Sequence, residues 1–258
     1  MIFTLDIGNT NIKTALFDGE RMVKYWRVST SSTYTSDEYG ILLCNLFAHE
    51  GVSPADVEGI AISSVVPTIN FTIEHMCQNY FHQQPMIVAP GIKTGINIKY
   101  ENHRELGSDR IANAVAAETF YGAPAIVVDF GTATNIDVID EDGYYIGGAI
   151  APGIRISMDA LAARAAKLAS VPLEAPEHAI GRDTEECIKV GAVMGAAAMA
   201  EGLVTRMKRE LGREDATVIA TGGLAGIVAD STDAFDVVDG QLTIKGICEI
   251  YRRMQEQG

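Results

Sequence analysis

The chain has 258 residues, of which 34 are acidic and 20 basic, for a formal net charge of −14. That length suits two ordinary domains or one large one, and an acidic balance without a long basic run argues against nucleic acid or an anionic membrane as partner. Cys44, Cys77, Cys187 and Cys248 are far apart and form no C-x-x-C pair, so neither a zinc site nor a disulfide framework is indicated, and reduced thiols in a cytoplasm fit best.

The N-terminus reaches Asp6 too early for a signal-peptide apolar region. Val190 to Ala200, the longest small-apolar stretch, falls well short of the roughly 20 residues of a membrane span.

Ile2 to Leu5 reads as a short buried strand, Asp6 to Thr10 as a tight turn and Ile12 to Phe17 as a second strand ending at the Asp18-Gly19 turn signal. The turn D-I-G-N-T-N carries one carboxylate, a glycine and short side chains that leave backbone N–H groups exposed. Such a turn can hold nucleotide phosphates while Asp6 holds Mg²⁺ through water. A plain hairpin turn is an equally good reading of these residues alone, since Asp, Gly and Asn are common in turns.

Met22 to Val28 follows as a strand and 31–36 as a polar loop. Ser36 then caps a helix from about Asp37 to His49 on the face Ile41, Leu42, Leu46 and Phe47. A linker at 53–56 leads to a strand at Ile60 to Val66 ended by Pro67, a helix from about Ile69 to Phe81 and a strand at Met86 to Val88. His75 and His82 lack carboxylate companions at ligand spacing and read as core or surface residues.

Lys99 to Ala117 (K-Y-E-N-H-R-E-L-G-S-D-R-I-A-N-A-V-A-A) is the second chemically loaded stretch. Ile111, Ala112, Val115 and Ala116 recur with helical period, which places Gly107-Ser108-Asp109 at a helix N-terminus. Position alone favours Asp109 or Ser108 as an N-cap with Arg110 as a solvated first-turn residue. The other reading makes Asp109 a catalytic base, with Arg110 and the helix end attracting an anionic substrate.

The opening pattern then returns. Ala125 to Asp142 again gives an apolar run, D-x-G with small hydroxyl residues, an alternating strand and a turn at Asp142-Gly143, and Asp129 lies 123 positions after Asp6. Each copy has a downstream partner strand, Gly59 to Pro67 and Thr217 to Ala225. Two such halves describe a duplicated α/β protein with mixed sheets and its nucleotide in an interdomain cleft, divided as 1–118 and 119–258. An acidic protein that binds ATP needs cations, so metal dependence is expected.

Gly147 to Ile154 reads as a glycine-rich turn, Ser157 to Leu168 as an Ala-rich helix, and Glu185 to Leu211 as a helix capped by Thr184. Its small-residue face, Gly191, Ala192, Gly195, Ala196 and Met199, reads as core packing, with a twin-subunit contact as the alternative. The Thr221-Gly222-Gly223 turn suits adenine or ribose against backbone, or no ligand at all.

The duplicated D-x-G hairpins resemble the actin, hexokinase and acetate kinase superfamily, an actin-like (ribonuclease H-like) fold. D-I-G-N-T-N, L-G-S-D-R-I-A-N-A-V-A-A, V-V-D-F-G-T-A-T, G-G-A-I-A-P-G-I, I-G-R-D-T and A-T-G-G, in that order over nearly the whole chain, resemble the type III pantothenate kinases. The resemblance implies a homodimeric, cytoplasmic kinase that phosphorylates pantothenate with ATP, Mg²⁺ and a monovalent cation, K⁺ or NH₄⁺.

It further implies that Asp6, Ile7, Gly8, Asn9, Thr10, Asn11, Ile12 and Lys13 form the first phosphate loop and that Thr132 touches ATP phosphates. Asp129 would bind the monovalent cation, and Tyr100, Gly107, Ser108, Asp109, Arg110 and Thr184 would meet pantothenate, with Asp109 as proton acceptor. Two positions depart from the family pattern: His103, near which a proline is usual, and Asn135, where a second Thr is usual. A kinase for another small hydroxy or carboxy substrate on this fold, and a non-catalytic ATP-binding regulator, are the alternatives the sequence leaves open.

Overall fold

A computed structural model describes residues 1–165, 168 and 170–256. By internal contact the chain forms two units, one made of Met1–Gly95, Asn102–Val115 and the segment from Thr243, the other of Ile96–Glu101 and Ala116–Leu242.

The first unit is built on a five-stranded sheet of order β3-β2-β1-β4-β5. Its strands are β1 (Ile2–Ile7), β2 (Asn11–Asp18), β3 (Arg21–Ser29), β4 (Gly59–Ser64) and β5 (Met86–Val88). β1 pairs antiparallel with β2 and parallel with β4. Alternation along the strands decides the faces. Phe3, Leu5, Ile7, Ile60 and Ile62 enter a core with Tyr39, Leu43 and Phe47 of α1 (Ser36–His49) and Ile69, Ile73, Met76 and Phe81 of α2 (Pro67–Phe81). Phe3 sits edge-on to Phe47, 5.1 Å between ring centroids, and stacked on Phe81 at 5.2 Å.

Thr4, Asp6, Ala61 and Ser63 alternate onto the other face. That side belongs to the start of α3 (Ser108–Tyr121) and to the C-terminal helix Leu242–Glu256. Gly59 has no room for a Cβ because the Tyr251 hydroxyl lies there, and Gly246 has none because the Ala112 carbonyl does. These close approaches place the C-terminal helix with the first unit, whereas a linear division after residue 118 assigns it to the second half. No element expected from the sequence corresponds to this helix.

Chain punctuation largely follows local chemistry. Thr35, one residue earlier than expected, caps α1 through a reciprocal pair, its side chain accepting from the Glu38 amide and Glu38 accepting from the Thr35 amide. The strand expected to run to Val66 stops at Ser64, and Pro67 instead opens α2 at a first-turn position where its missing N–H costs nothing.

The second unit carries a six-stranded sheet of order β11-β10-β7-β8-β9-β6. Its strands are β6 (Asn97–Ile98), β7 (Ala125–Phe130), β8 (Ala133–Ile139), β9 (Tyr144–Pro152), β10 (Thr217–Thr221) and β11 (Val237–Val238). Its helices are α4 (Ile154–Arg164), α5 (Thr184–Lys189), a π-helical turn at Val190–Met194, α6 (Gly195–Leu211) and α7 (Ala225–Ala229). Ile126, Val128, Phe130, Ile136 and Val138 pack with Ala197, Ala200 and Val204 of α6 and Val228 of α7.

Three expectations change in this unit. The glycine-rich stretch from Gly147 is the end of strand β9 rather than a turn, because its glycines permit a close strand approach: a Cβ on Gly148 would collide with the Ile136 carbonyl. Asp183, not Thr184, caps α5, its carboxylate accepting from the Glu186 amide at 2.8 Å. The helix expected over 157–168 spans Ile154–Arg164; residues 166 and 167 lie outside the described residues.

The face Gly191, Ala192, Gly195, Ala196 and Met199 is core packing in part: Ala192 and Ala196 pack against the core, and Gly191 and Gly195 are exposed. Val193, Ala197, Ala200 and Val204 form the buried stripe, while Gly191, Gly195 and Ala198 are exposed on the opposite side. The apolar stretch expected to fall short of a membrane span belongs to a longer helical run, Thr184–Leu211, which at 28 residues is long and apolar enough by composition to cross one, with 22% of its most apolar window buried within the chain.

Candidate active site

Each unit presents one D-x-G hairpin. In the first, Asp6 stands opposite Lys13 in the β1–β2 register, so both side chains lie on one face, and Lys13 Nζ is 3.4 Å from Asp6 Oδ2. Asp6 is 8% exposed. The turn closes when the Gly8 amide donates to the Asn11 carbonyl at 3.0 Å. Thr30, at the end of β3, clamps it from outside: its hydroxyl donates to the Gly8 carbonyl at 2.6 Å and its amide to the Thr10 carbonyl at 3.1 Å. The next residue, Ser31, exchanges two hydrogen bonds with the buried Tyr39 hydroxyl, at 2.8 and 2.9 Å.

Thr30 is a supporting residue that sequence reasoning missed. Nothing local marks it, because its partners are backbone carbonyls 20 and 22 positions upstream.

Asp109 belongs to the same unit. α3 begins at Ser108, and the Asp109 carboxylate accepts from the Arg110 amide at 2.9 Å. A Cβ on Gly107 would lie 2.5 Å from Asp109 Oδ1, so the carboxylate occupies the space that any other residue at 107 would need. Arg110 is 7% exposed, which removes the solvated first-turn reading. The Ser108 hydroxyl is turned onto β4, with Ser63 and Ser64.

Gly107→Ala is accordingly expected to displace a movable side chain rather than backbone. Turnover should fall at least tenfold, since misplacing a reacting group by about 1 Å can cost about a hundredfold, with the melting temperature within about 2 °C of native. Steady-state kinetics beside thermal unfolding checks both.

In the second unit Asp129 stands opposite Asn135 across β7–β8, the place that Lys13 takes opposite Asp6. The second turn is one residue shorter, closing with the Gly131 amide donating to the Ala133 carbonyl at 3.0 Å. The register therefore equates Asn135 with Lys13, a neutral amide where the first hairpin has an ammonium. On its other side Asp129 neighbours Thr221 of β10, and Gly222, at φ +95°, lies over it.

A Cβ on Gly222 would run into Asp129 Oδ1 and come within 2.6 Å of the Phe130 carbonyl. The T-G-G turn is thus shaped around Asp129. Thr221 Oγ1 is buried without a hydrogen-bond partner, an oxygen donor beside a carboxylate. Such a set suits a hard cation. Gly153, ahead of α4, faces the same turn: a Cβ there would meet the Gly131 carbonyl at 2.6 Å and the Thr132 carbonyl closer still. Thr132 itself is exposed.

Tyr100 and Thr184 also belong to the second unit. The segment bearing Tyr100 is fastened to the edge of the sheet: β6 pairs with Tyr144 and Tyr145, the Lys99 amide donates to the Tyr145 carbonyl at 2.8 Å, and Lys99 Nζ bonds Asp140 at 3.1 Å. The Tyr100 ring is edge-on to Tyr145, 6.1 Å between centroids, and the buried Tyr145 hydroxyl donates to Asp137 at 2.8 Å. Thr184 is exposed in the first turn of α5. Cys77 and Cys248 are buried, and desolvation pushes both thiols up to about 12, so neither is a nucleophile at neutral pH.

The family sequence model described as type III pantothenate kinase matches residues 2–206. The chain belongs to that family. The type III pantothenate kinase of Bacillus cytotoxicus is 49% identical over 253 residues, 98% of this chain and 96% of that one. Among solved structures, a conserved putative Baf family transcriptional activator from Campylobacter jejuni aligns with TM-score 0.62 and 20% identity over 98% of this chain and 99% of that one. The ROK hexokinase of Thermus thermophilus aligns with TM-score 0.50 and 14% identity over 100% and 99%. These likenesses establish the fold: two mixed sheets, each opened by a D-x-G hairpin, in the actin-like arrangement of sugar kinases.

Proposed function

We propose that the protein phosphorylates the primary hydroxyl of pantothenate with ATP, giving 4'-phosphopantothenate, the first step towards coenzyme A, with Asp109 as the group that receives the hydroxyl proton. Membership of the pantothenate kinase family carries the reaction. The space kept open at Gly107 for the Asp109 carboxylate supports the assignment of the acceptor.

Phosphoryl transfer of this kind has a loose transition state, so the protein mainly aligns nucleophile and γ-phosphate and neutralises developing charge. Residues 6–13 supply N–H groups and the Lys13 ammonium to phosphates, and Thr132 supplies a hydroxyl. Mg²⁺ bound with ATP neutralises phosphate charge; Asp6, already beside Lys13 at 3.4 Å, suits it through water rather than as a direct ligand. Asp109 orients the alcohol and takes its proton late, because in a loose transition state the hydroxyl becomes acidic only as the O–P bond forms. Tyr100, Thr184, the buried Arg110 and the backbone of Gly107 and Ser108 contact pantothenate.

Asp129 holds K⁺ or NH₄⁺, supported by its neutral neighbour Asn135 and the Thr221 hydroxyl. Asp129→Asn should therefore abolish stimulation by K⁺, read as turnover against KCl concentration at constant ionic strength. An unchanged K⁺ response would remove Asp129 from that role.

The protein acts as a cytoplasmic homodimer. Its four cysteines are free thiols, and the exposed Gly191, Gly195 and Ala198 side of the long helical run permits close approach of a second copy. Ala198→Arg is expected to halve the mass measured by sedimentation equilibrium at micromolar protein. A native mass for that variant would exclude this face.

A further inference from the structure

We infer that Ser63 is a positioning residue for the phosphoryl transfer, acting through the hydroxyl of Ser108 to hold the start of α3, and with it Asp109, against the strand beside Asp6. The inference rests on the roles proposed for Asp109 and the first hairpin.

A serine hydroxyl has one proton and two lone pairs. The Ser63 hydroxyl donates to Ser108 Oγ at 2.9 Å, the Ser64 amide donates to it at 3.1 Å, and Ser108 Oγ donates to the Ser64 carbonyl at 3.2 Å. All three capacities of Ser108 are used. Its hydroxyl has nothing left to offer a substrate, so Ser108 serves the pocket through its backbone and anchors the helix with its side chain.

The anchor is itself rigid. Ser63 is fully buried, Ser108 is 5% exposed, and Ser63 is the registered neighbour of Asp6 in the parallel β1–β4 pair, pointing to the same face. Beyond it the Ser64 hydroxyl donates to Asn70 at 2.6 Å and accepts from the Val66 amide at 3.2 Å, fixing the strand end to α2. The chain of contacts Asp6, Ser63, Ser108, Asp109 thus runs from the phosphate hairpin to the proton acceptor within one unit. In a loose transition state alignment is most of what the protein provides, and misplacement by about 1 Å can cost about a hundredfold.

The test compares Ser63→Ala, Ser108→Ala and the double variant in full-length protein, with kcat and both KM values measured at 25 °C and folding verified by near-UV circular dichroism. Each single variant should lower kcat about 10- to 100-fold with KM for pantothenate and ATP within about twofold. The double should be no slower than the slower single, since both changes break one linkage. Ser63→Cys, close in size with a weak donor, should recover part of the loss, and Ser108→Ala carries the same readout if Ser63→Ala does not fold.

Native kcat in Ser63→Ala overturns the inference. So does a raised pantothenate KM with native kcat in Ser108→Ala, which would make the hydroxyl a ligand. Asp109→Asn run alongside separates the two levels: if it keeps turnover, the proton-acceptor reading fails, whereas an inactive Asp109→Asn beside a native Ser63→Ala sinks the positioning role alone.

Discussion

Asp109→Asn is expected to lose kcat by about 10²–10⁴-fold, the range for a positioned acid–base group, while ATP still binds with near-native affinity. The amide keeps the size of the carboxylate and its fit beside Gly107, so the fold and the Arg110 contact at its N–H persist. What is lost is the capacity to accept a proton as the O–P bond forms, and the preference for the hydroxyl donor in line with the γ-phosphate. Isothermal titration with ATP, beside steady-state turnover of pantothenate, checks both halves. Turnover within threefold of native would take Asp109 out of the chemistry and return it to the helix-start role that its position alone suggests.

Gly222→Ala should be the most damaging single methyl addition around Asp129. Two costs coincide there. The backbone sits at φ +95°, a region L residues rarely adopt, costing about 1–3 kcal/mol. The new Cβ would also meet the Phe130 carbonyl at 2.6 Å, and backbone in the middle of a sheet cannot move away as a flexible side chain can. The smaller unfolded-state entropy of alanine offsets less than about 1 kcal/mol of this. A net loss of about 3 kcal/mol corresponds to roughly 6–12 °C in melting temperature for a chain of this size. Thermal unfolding measures it, and a shift below 2 °C would mean that the turn relaxes freely.

The contrast with Gly107 is instructive. There the obstructing atom is the Asp109 carboxylate, which can rotate, so the same substitution should damage turnover and spare stability.

Most of the strands and helices of the first unit are legible in the sequence because each has a local cause. Short apolar runs closed by turn signals mark β1 and β2, and Pro67 marks the passage from β4 to α2. The 3.6-residue period marks α3 and the extent of α1, whose buried face is Tyr39, Gly40, Leu43 and Phe47 while Ile41, expected on it, is exposed. What escaped has non-local causes. The stretch from Gly147 reads as a turn by composition and is a strand by tertiary contact, because its glycines serve the approach of β8 rather than a reversal of the chain. Thr30, Ser63 and Ser64 look like loop and strand serines and threonines until their partners are known. The register of the second hairpin, which sets Asn135 rather than a later residue opposite Asp129, depends on a turn shorter by one residue than its twin.

The candidate site was legible in another way. The order of six short motifs named the family before any geometry was known. The physical reason for three of the glycines in those motifs comes from the atoms a Cβ would strike. Gly107 makes room for Asp109, Gly222 for Asp129, and Gly153 for the carbonyls of the second turn.

The central claim is that this chain phosphorylates pantothenate with ATP and needs a monovalent cation to do so. Its most direct test is formation of 4'-phosphopantothenate by the purified protein with Mg²⁺ and ATP, followed by mass spectrometry with and without K⁺ or NH₄⁺. Product should form and should depend on the monovalent ion. ATP bound but no 4'-phosphopantothenate in either buffer would contradict it and point to another acceptor or to a regulatory protein.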